Sequence, residues 1–276
     1  MRETNLRYEP HASTIGAALD LESLEVLTAN PLALAGLLTM LDERGVVCIR
    51  TEQALEPGQL AAIERYFGTS ATRGTCQPLV PGTDFLGDFS IGPKFDDGRP
   101  RRVAPTDFIH IDTMPNGPAA YGVHATLAGT SVAPMRFADM RAVYAGLAEA
   151  QKARIAGLRA RHSVPELDDG TPAPWTMQPL AARHPRSGAA LLLLPNRYRS
   201  WVEGLPDQEA ADLIGQLWRI TDAAPGCLEL HLRPNTLIIW DNITCTHTNP
   251  GFARSLGRVV WFFNILNDRP VAPVAA

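Results

Sequence analysis

Between Asn30 and Gly45 the residues Leu34, Leu37, Leu38 and Leu41 recur at the three-and-four spacing of a helix face that packs on a core. Asn30 carries the side chain of an N-cap, Pro31 suits a first helical turn and Gly45 supplies a stop, so the pattern predicts a helix through Arg44. A second helix is predicted from Asp139, as cap, to about Leu158. A third covers Asp207 to Ala223, with Leu213, Ile214, Leu217 and Trp218 as its apolar face. Apolar runs and alternation predict strands at Val46 to Arg50, Tyr121 to Leu127, Ala189 to Leu194, Thr236 to Trp240 and Arg258 to Ile265. The stretch 163–177, rich in Pro, Asp and Gly, reads as a surface loop of a size that often serves as a lid, and 267–276 reads as a frayed tail. Helices outside and strands inside make this an α+β, mainly β chain, read as a single domain over 1–276.

Chemistry enters on one of these segments. His110 and Asp112 are two residues apart, and on an extended strand such side chains share a face and can reach one ion together while Ile111 points to the core. With His247 far downstream they make two imidazoles and a carboxylate, the protein half of a mononuclear iron site whose other positions stay open. The long separation suits a barrel or jelly roll in which distant strands meet around one pocket. If the chain leaves a strand after His247, turns through Asn249-Pro250-Gly251 and returns on the next, Arg258 re-enters the same cavity, where its guanidinium can pair bidentately with a carboxylate. The short motif is weak alone, because composition gives about 0.7 His-x-acid pairs by chance.

Several segments together resemble the taurine dioxygenase-like (TauD/TfdA) family of iron(II)- and 2-oxoglutarate-dependent oxygenases over most of the chain. Ile15 to Leu21 resembles that family's opening strand, Arg44 to Arg50 its first core strand, and Leu55 to Gly68 the helix ending in Tyr66-Phe67-Gly68. His110-Ile111-Asp112 stands where the family carries its first two iron ligands, and His184-Pro185-Arg186-Ser187-Gly188 resembles its turn before a strand. Leu237 to Asn242, leading to His247 and then Arg258, is the most specific match. The resemblance implies a double-stranded β-helix (jelly roll, cupin-like) core flanked by helices. It implies iron(II) on His110, Asp112 and His247, and 2-oxoglutarate held through its far carboxylate by Arg258. The implied reaction is hydroxylation or desaturation of a substrate C–H bond, coupled to decarboxylation of 2-oxoglutarate to succinate, with O2 as the second cosubstrate. Asp112 argues against a halogenase, since those relatives replace the carboxylate ligand with a small residue.

Three departures bear on the substrate. Ile109 replaces the tryptophan usual before the first histidine, and Phe262 stands where taurine-like members carry a second arginine for the substrate's acidic group. Pro134-Met135-Arg136-Phe137 stands where members commonly place a Gly-Asp-Thr stretch, and Arg136 is left to replace the threonine's contact or to serve the substrate. A sulfonate bound as in taurine dioxygenase is therefore not expected. Phe85, Phe89, Pro93, Phe95 and Phe108 precede the first ligand and, with Phe262, suggest a partly apolar small organic or amino-acid-derived substrate, as in specialised metabolism. Two rival classes stay open: a cupin-like metal-dependent isomerase or hydrolase that needs no 2-oxoglutarate, and a non-catalytic small-molecule-binding barrel.

Composition narrows the setting. A chain of 276 residues with 45% apolar content can bury one large core. A net charge of −4 argues against a nucleic-acid partner, and no apolar run is long enough for a membrane span, so a cytoplasmic enzyme is expected, with room for a homo-oligomer. Cys48, Cys76, Cys227 and Cys245 lack metal-knuckle spacing; Cys245 shares the face of His247 if the segment is extended, against the commoner reading of a buried structural thiol. His11 and His162 read as surface residues, His184 as a structural turn residue and His231 as solvent-facing. His124 lies on a predicted strand whose alternation leaves it facing either way. Arg254 reads as a solvated turn residue rather than a ligand, and Arg101-Arg102 as a solvated loop face.

Overall fold

Where apolar periodicity is strongest, the chain forms the elements it predicts. The computed structural model describes residues 8–11, 14–71, 113–114, 117–128, 130–131, 134–163, 174–197, 201–248 and 259–274. In chain order the described elements are β1 (Glu9–Pro10), β2 (Ala17–Leu21), α1 (Glu25–Thr28), α2 (Pro31–Arg44), β3 (Val46–Thr51), α3 (Pro57–Phe67), β4 (Ser70–Ala71), β5 (Thr113–Met114), β6 (Gly117–Pro118), β7 (Tyr121–Ala128), β8 (Met135–Asp139), α4 (Met140–Gly146), α5 (Glu149–Ile155), β9 (Arg159–Ser163), β10 (Trp175–Pro179), β11 (Ala181–Arg183), β12 (Ala190–Leu192), α6 (Asp207–Asp222), β13 (Leu228–Leu230), β14 (Thr236–Asp241), β15 (Cys245–His247), β16 (Val259–Ile265) and β17 (Ala272–Pro273).

The first long helix begins as its cap chemistry dictates. The Asn30 side chain accepts from Leu32 N–H at 3.0 Å, and Gly45, at φ 69°, ends the helix in a conformation that side-chain-bearing residues avoid. Leu34, Leu37 and Leu41 are buried and Leu38 partly so, with Ala33 and Met40 completing the stripe.

A seven-stranded sheet runs in the order β1-β2-β3-β14-β7-β16-β4, and a three-stranded sheet in the order β13-β8-β15. Strand alternation gives the large sheet two different faces. On one, Val47, Ile49, Val123, Ala125, Leu237, Ile239, Phe263 and Ile265 pack against α1, α2 and α3. On the other, Val46, Cys48, Ile238, Trp240 and Phe262 meet Met135, Phe137, Leu228, Leu230 and Cys245 of the small sheet. The small sheet's far side begins a third core, where Ala138 joins Met140 and Val143 of α4, and Leu213, Ile214, Leu217 and Trp218 of α6. Helices, large sheet, small sheet and helices thus follow one another in layers.

Several expectations need correction. The helix predicted from Asp139 to Leu158 is two helices. Asp139 does cap α4, accepting from Arg141 N–H at 3.0 Å, but Leu147 turns to an extended ψ of 140° to reach the core, and α5 starts afresh after Ala148. Gly146 weakens the helix at the break. The loop read over 163–177 is shorter, because Ser163 ends β9 and Trp175 to Met177 belong to β10, the two strands pairing as a hairpin; residues 164–173 lie outside the described residues. The tail is tied down: Arg183 pairs with Ala272 and Ala182 with Pro273, Val274 N–H donates to Ala181 at 2.9 Å, and Val271 and Val274 pack on the third core. His162 is fully buried rather than on the surface, because on β9 it alternates inward with Ala160 while Arg159 and Arg161 turn outward. His231 is exposed, as expected.

Candidate functional site

Asp241 and Asn242 build the turn that delivers His247. Asp241 Oδ1 accepts from the N–H groups of Ile243 (3.0 Å) and Thr244 (2.8 Å), an arrangement in which a short carboxylate side chain mimics a backbone turn. Asn242 ties the turn to the start of β7, its Nδ2 donating to Ala119 and its backbone N–H to Ala120, both at 3.0 Å. The chain thereby crosses from the large sheet to the small one, and β15 pairs with β8 so that His247 stands opposite Phe137. Immediately beyond, Thr248 N–H donates to Arg136 at 2.9 Å and Thr248 Oγ1 accepts from Arg136 N–H at 3.0 Å.

His247 is fully buried and faces the core between the sheets. Its ring lies 4.7 Å from Trp240 and 6.1 Å, stacked, from Phe137; Trp240 is also 6.0 Å from Phe262. His124, whose facing the sequence left open, turns inward to the same cluster, 6.3 Å from Phe262. Phe262 thus lines the inner face of the large sheet with an apolar side chain.

Of the four sequence-derived site residues, His247 alone falls within the described residues; His110, Asp112 and Arg258 lie outside them, as do Arg254, Cys76, Arg101, Arg102 and the phenylalanines from Phe85 to Phe108. Thr113, directly after Asp112, is buried, and β16 begins directly after Arg258. Arg136 alternates with Met135 and Phe137 and so faces away from the inner cluster. Its Nε lies 3.0 Å from Glu229 Oε1, a half-exposed ion pair of small energetic weight. Cys245 does share the face of His247, yet it is packed against Gly45, where an added Cβ would come within 2.9 Å of its sulfur. Burial raises the Cys245 thiol well above its ordinary range, as it raises Cys48 to about 11, so both are core thiols.

His184 proves to be part of the same scaffold. Its Nε2 donates to Asp241 Oδ2 at 2.8 Å, while Nδ1 accepts from the N–H groups of Arg186 (3.3 Å) and Ser187 (3.1 Å). Asp241, 1% exposed, is therefore fully engaged in shaping the turn. Beside it lies a cavity of about 440 Å³ lined by Phe67, Tyr121, His184, Arg186, Asp241 and Arg269. Within it Arg186 donates to the Tyr121 hydroxyl and, at 2.6 Å, to Asp42; burial pushes Tyr121 up to about 12 and raises Asp42. His247 is not among the described residues that line this cavity.

Sequence reasoning did not single out Gly122 or Asn264. An added Cβ at Gly122 would fall 2.0 Å from the Trp240 ring, so only glycine admits the indole. Asn264 is 1% exposed in the middle of the sheet, and its burial among apolar runs was the available signal.

Comparison with known proteins agrees with this architecture. The profile of the family described as taurine catabolism dioxygenase TauD, TfdA matches residues 7–264. A curated relative, (S)-phenoxypropionate/alpha-ketoglutarate-dioxygenase from Sphingobium herbicidovorans, is 30% identical over 149 residues; the match covers 48% of this chain and 52% of the relative, so the chain spans about half that protein's length. Among solved structures, a taurine dioxygenase from Burkholderia xenovorans superposes with a TM-score of 0.71 at 20% identity, covering 98% of this chain and 95% of that one. AAD-2 in complex with Mn(II) and N-oxalylglycine gives a TM-score of 0.74 at 17% identity, over 96% and 98% of the two chains. At such identities the structural matches speak for the fold, and the profile speaks for the lineage. The chain belongs to the taurine catabolism dioxygenase TauD, TfdA family.

Proposed function

We propose that the protein is an iron(II)- and 2-oxoglutarate-dependent oxygenase that hydroxylates or desaturates a C–H bond of a small, partly apolar organic or amino-acid-derived molecule. The observation that carries the reading is His247, buried between two sheets on the turn made by Asp241 and Asn242. We read the two facing sheets as the halves of a double-stranded β-helix with the pocket between them.

The donor set suits the metal: imidazoles of His110 and His247 and the carboxylate of Asp112 are the ligand types of a site that keeps open positions for a cosubstrate. When bound, iron and 2-oxoglutarate supply the oxidising chemistry, with succinate and carbon dioxide as coproducts. The protein's share is binding, orientation and exclusion of water. Arg258 holds the far carboxylate of 2-oxoglutarate through charge-assisted hydrogen bonds worth about 1.5–3 kcal/mol. Trp240, Phe137 and Phe262 wall the inner face with apolar surface, which keeps water from the reacting centre. Phe262 disfavours a sulfonate substrate and favours an apolar or aromatic one, in keeping with the aromatic ring, though not the carboxylate, of the phenoxypropionate in the curated relative's name.

Anaerobic titration of the apo-protein with iron(II) and then 2-oxoglutarate tests the reading. A weak visible charge-transfer band is expected in the wild type, reduced at equal 2-oxoglutarate in Arg258→Ala and lost with the iron in His247→Ala. Tight iron binding without the band would instead indicate a cupin-like metalloenzyme or binding protein. Retained iron-dependent turnover in His247→Ala would remove the triad.

A further inference from the structure

Among the described residues, the inner face of the large sheet carries buried polar groups with nothing to bond, Thr126 Oγ1 and the side chains of Asn264 and Trp240 among them. Asn264 is 1% exposed and neither its Oδ1 nor its Nδ2 has a hydrogen-bond partner; the same holds for Nε1 of Trp240, which is fully buried. Buried polar groups in folded proteins are almost always satisfied, and leaving one bare carries a substantial free-energy cost. Two such residues in one place point to a ligand that completes them.

They do stand in one place. Gly122 on β7 is in register with Trp240 on β14 to one side and with Asn264 on β16 to the other. Because Gly122 has no side chain, the Trp240 ring lies across it: a Cβ there would be 2.0 Å from Cζ2 and 2.2 Å from Cε2, the carbon that carries Nε1. The N–H edge of the indole therefore reaches over β7 toward the strand of Asn264. Asn264 also shares its face of β16 with Phe262, two residues back, and Phe262 and Trp240 belong to the cluster around His247.

We propose that Asn264 and the Trp240 indole N–H form a polar floor beside the His247 cluster that binds an uncharged carbonyl or hydroxyl group of the primary substrate, making them specificity-determining residues. This inference rests on the oxygenase reading given above. The pairing explains the ligand class. An indole N–H only donates, whereas a carboxamide both donates and accepts, so together they fit a group that accepts two hydrogen bonds and can return one. Neither Trp240 nor Asn264 carries a charge, so a carboxylate or sulfonate seated on this pair would gain no counter-charge from it. The floor thus selects for a neutral polar group within otherwise apolar walls.

The test uses full-length wild type, Asn264→Leu and Trp240→Phe with three probes: phenoxypropionamide, phenoxypropionate and isopropyl phenyl ether, which lacks the polar group. Under anaerobic conditions with iron(II) and 2-oxoglutarate, each probe is titrated against the charge-transfer band. The amide is expected to perturb the band with an affinity about tenfold tighter than either other probe, the effect of one to two neutral hydrogen bonds. That preference should vanish in Asn264→Leu and shrink in Trp240→Phe while the band itself persists. Amide binding should also move the Trp240 indole proton resonance. Without ligands, Asn264→Leu should melt above wild type, since it removes an unsatisfied amide. An intact band with no amide preference, a preference that survives Asn264→Leu, or a lowered melting temperature for that variant overturns the floor. Absence of the band in wild type overturns the oxygenase reading first, and the floor with it.

Discussion

At the scale of single residues, His162 shows how strongly position overrides residue type. Fully buried on β9 among the residues of the third core, it is pushed by burial to a pKa of about 3, with the Leu193 backbone as the smaller opposing influence. An unfolded imidazole takes up its proton near pH 6.5. The contribution to stability is therefore complete above about 6.5. It is lost as pH falls toward 3, because over that window the unfolded chain binds a proton that the folded one refuses, at up to about 1.4 kcal/mol per pH unit. Denaturant melts at pH 7 and pH 4.5 should show a larger loss for wild type than for His162→Leu; equal losses would show that the imidazole is not held neutral. His162 was misread because its neighbours Arg159 and Arg161 are polar, although the alternation that turns those two outward turns it inward. His247 stood out by another route, as the downstream histidine of a metal-ligand set, whereas the turn that Asp241 builds before it was not foreseen. What the sequence hid was the far partner: nothing near Asp241 announces that His184 will sit 2.8 Å away.

At the scale of elements, those with local start and stop signals matched expectation closely. Asn30 and Gly45 bound α2, and α6 covers Asp207–Asp222. Elements that depend on long-range contacts did not match. The tail holds an apolar minority among Pro and Ala and so reads as frayed, yet β17 closes the edge of β11 and brings Val271 and Val274 to the third core. Truncation after Pro270 should therefore lower stability by about 1–3 kcal/mol, the burial of two partly covered valines and a few edge hydrogen bonds. An unchanged melting temperature would return the tail to a frayed end. The split between α4 and α5 belongs here too, since Leu147 leaves helical geometry only because a core is there to receive it.

At the scale of the whole molecule, the proposed site joins residues from distant parts of the chain, so whatever binds it should hold the fold together. A ligand present at about a hundred times its dissociation constant adds about 2.7 kcal/mol to stability. Manganese(II) with 2-oxoglutarate should accordingly raise the melting temperature of wild type under air and leave that of His247→Ala nearly unmoved. An equal rise in both would mean that the ions bind elsewhere. That helices lie outside and strands inside was legible from the mixture of strand and helix periods, whereas the division of the strands into a large and a small sheet was not. The seating of Arg136 on the outer side of the small sheet, paired with Glu229, was not, because a lone arginine in a short strand carries no mark of which way it faces.

The position of β14 has a consequence for how the chain reaches this state. It lies in the large sheet between β3 and β7, yet in sequence it follows both by more than a hundred residues. While the protein is being made, β3 and β7 leave the ribosome as apolar strands whose shared partner does not yet exist, and their hydrogen-bonding edges stay open until Thr236 to Asp241 arrive. The nascent chain is therefore most prone to aggregate late in synthesis. The insertion of β14 joins β3 to β7 and, through the turn at Asp241, carries His247 to its place, while the other edge of β7 waits for β16.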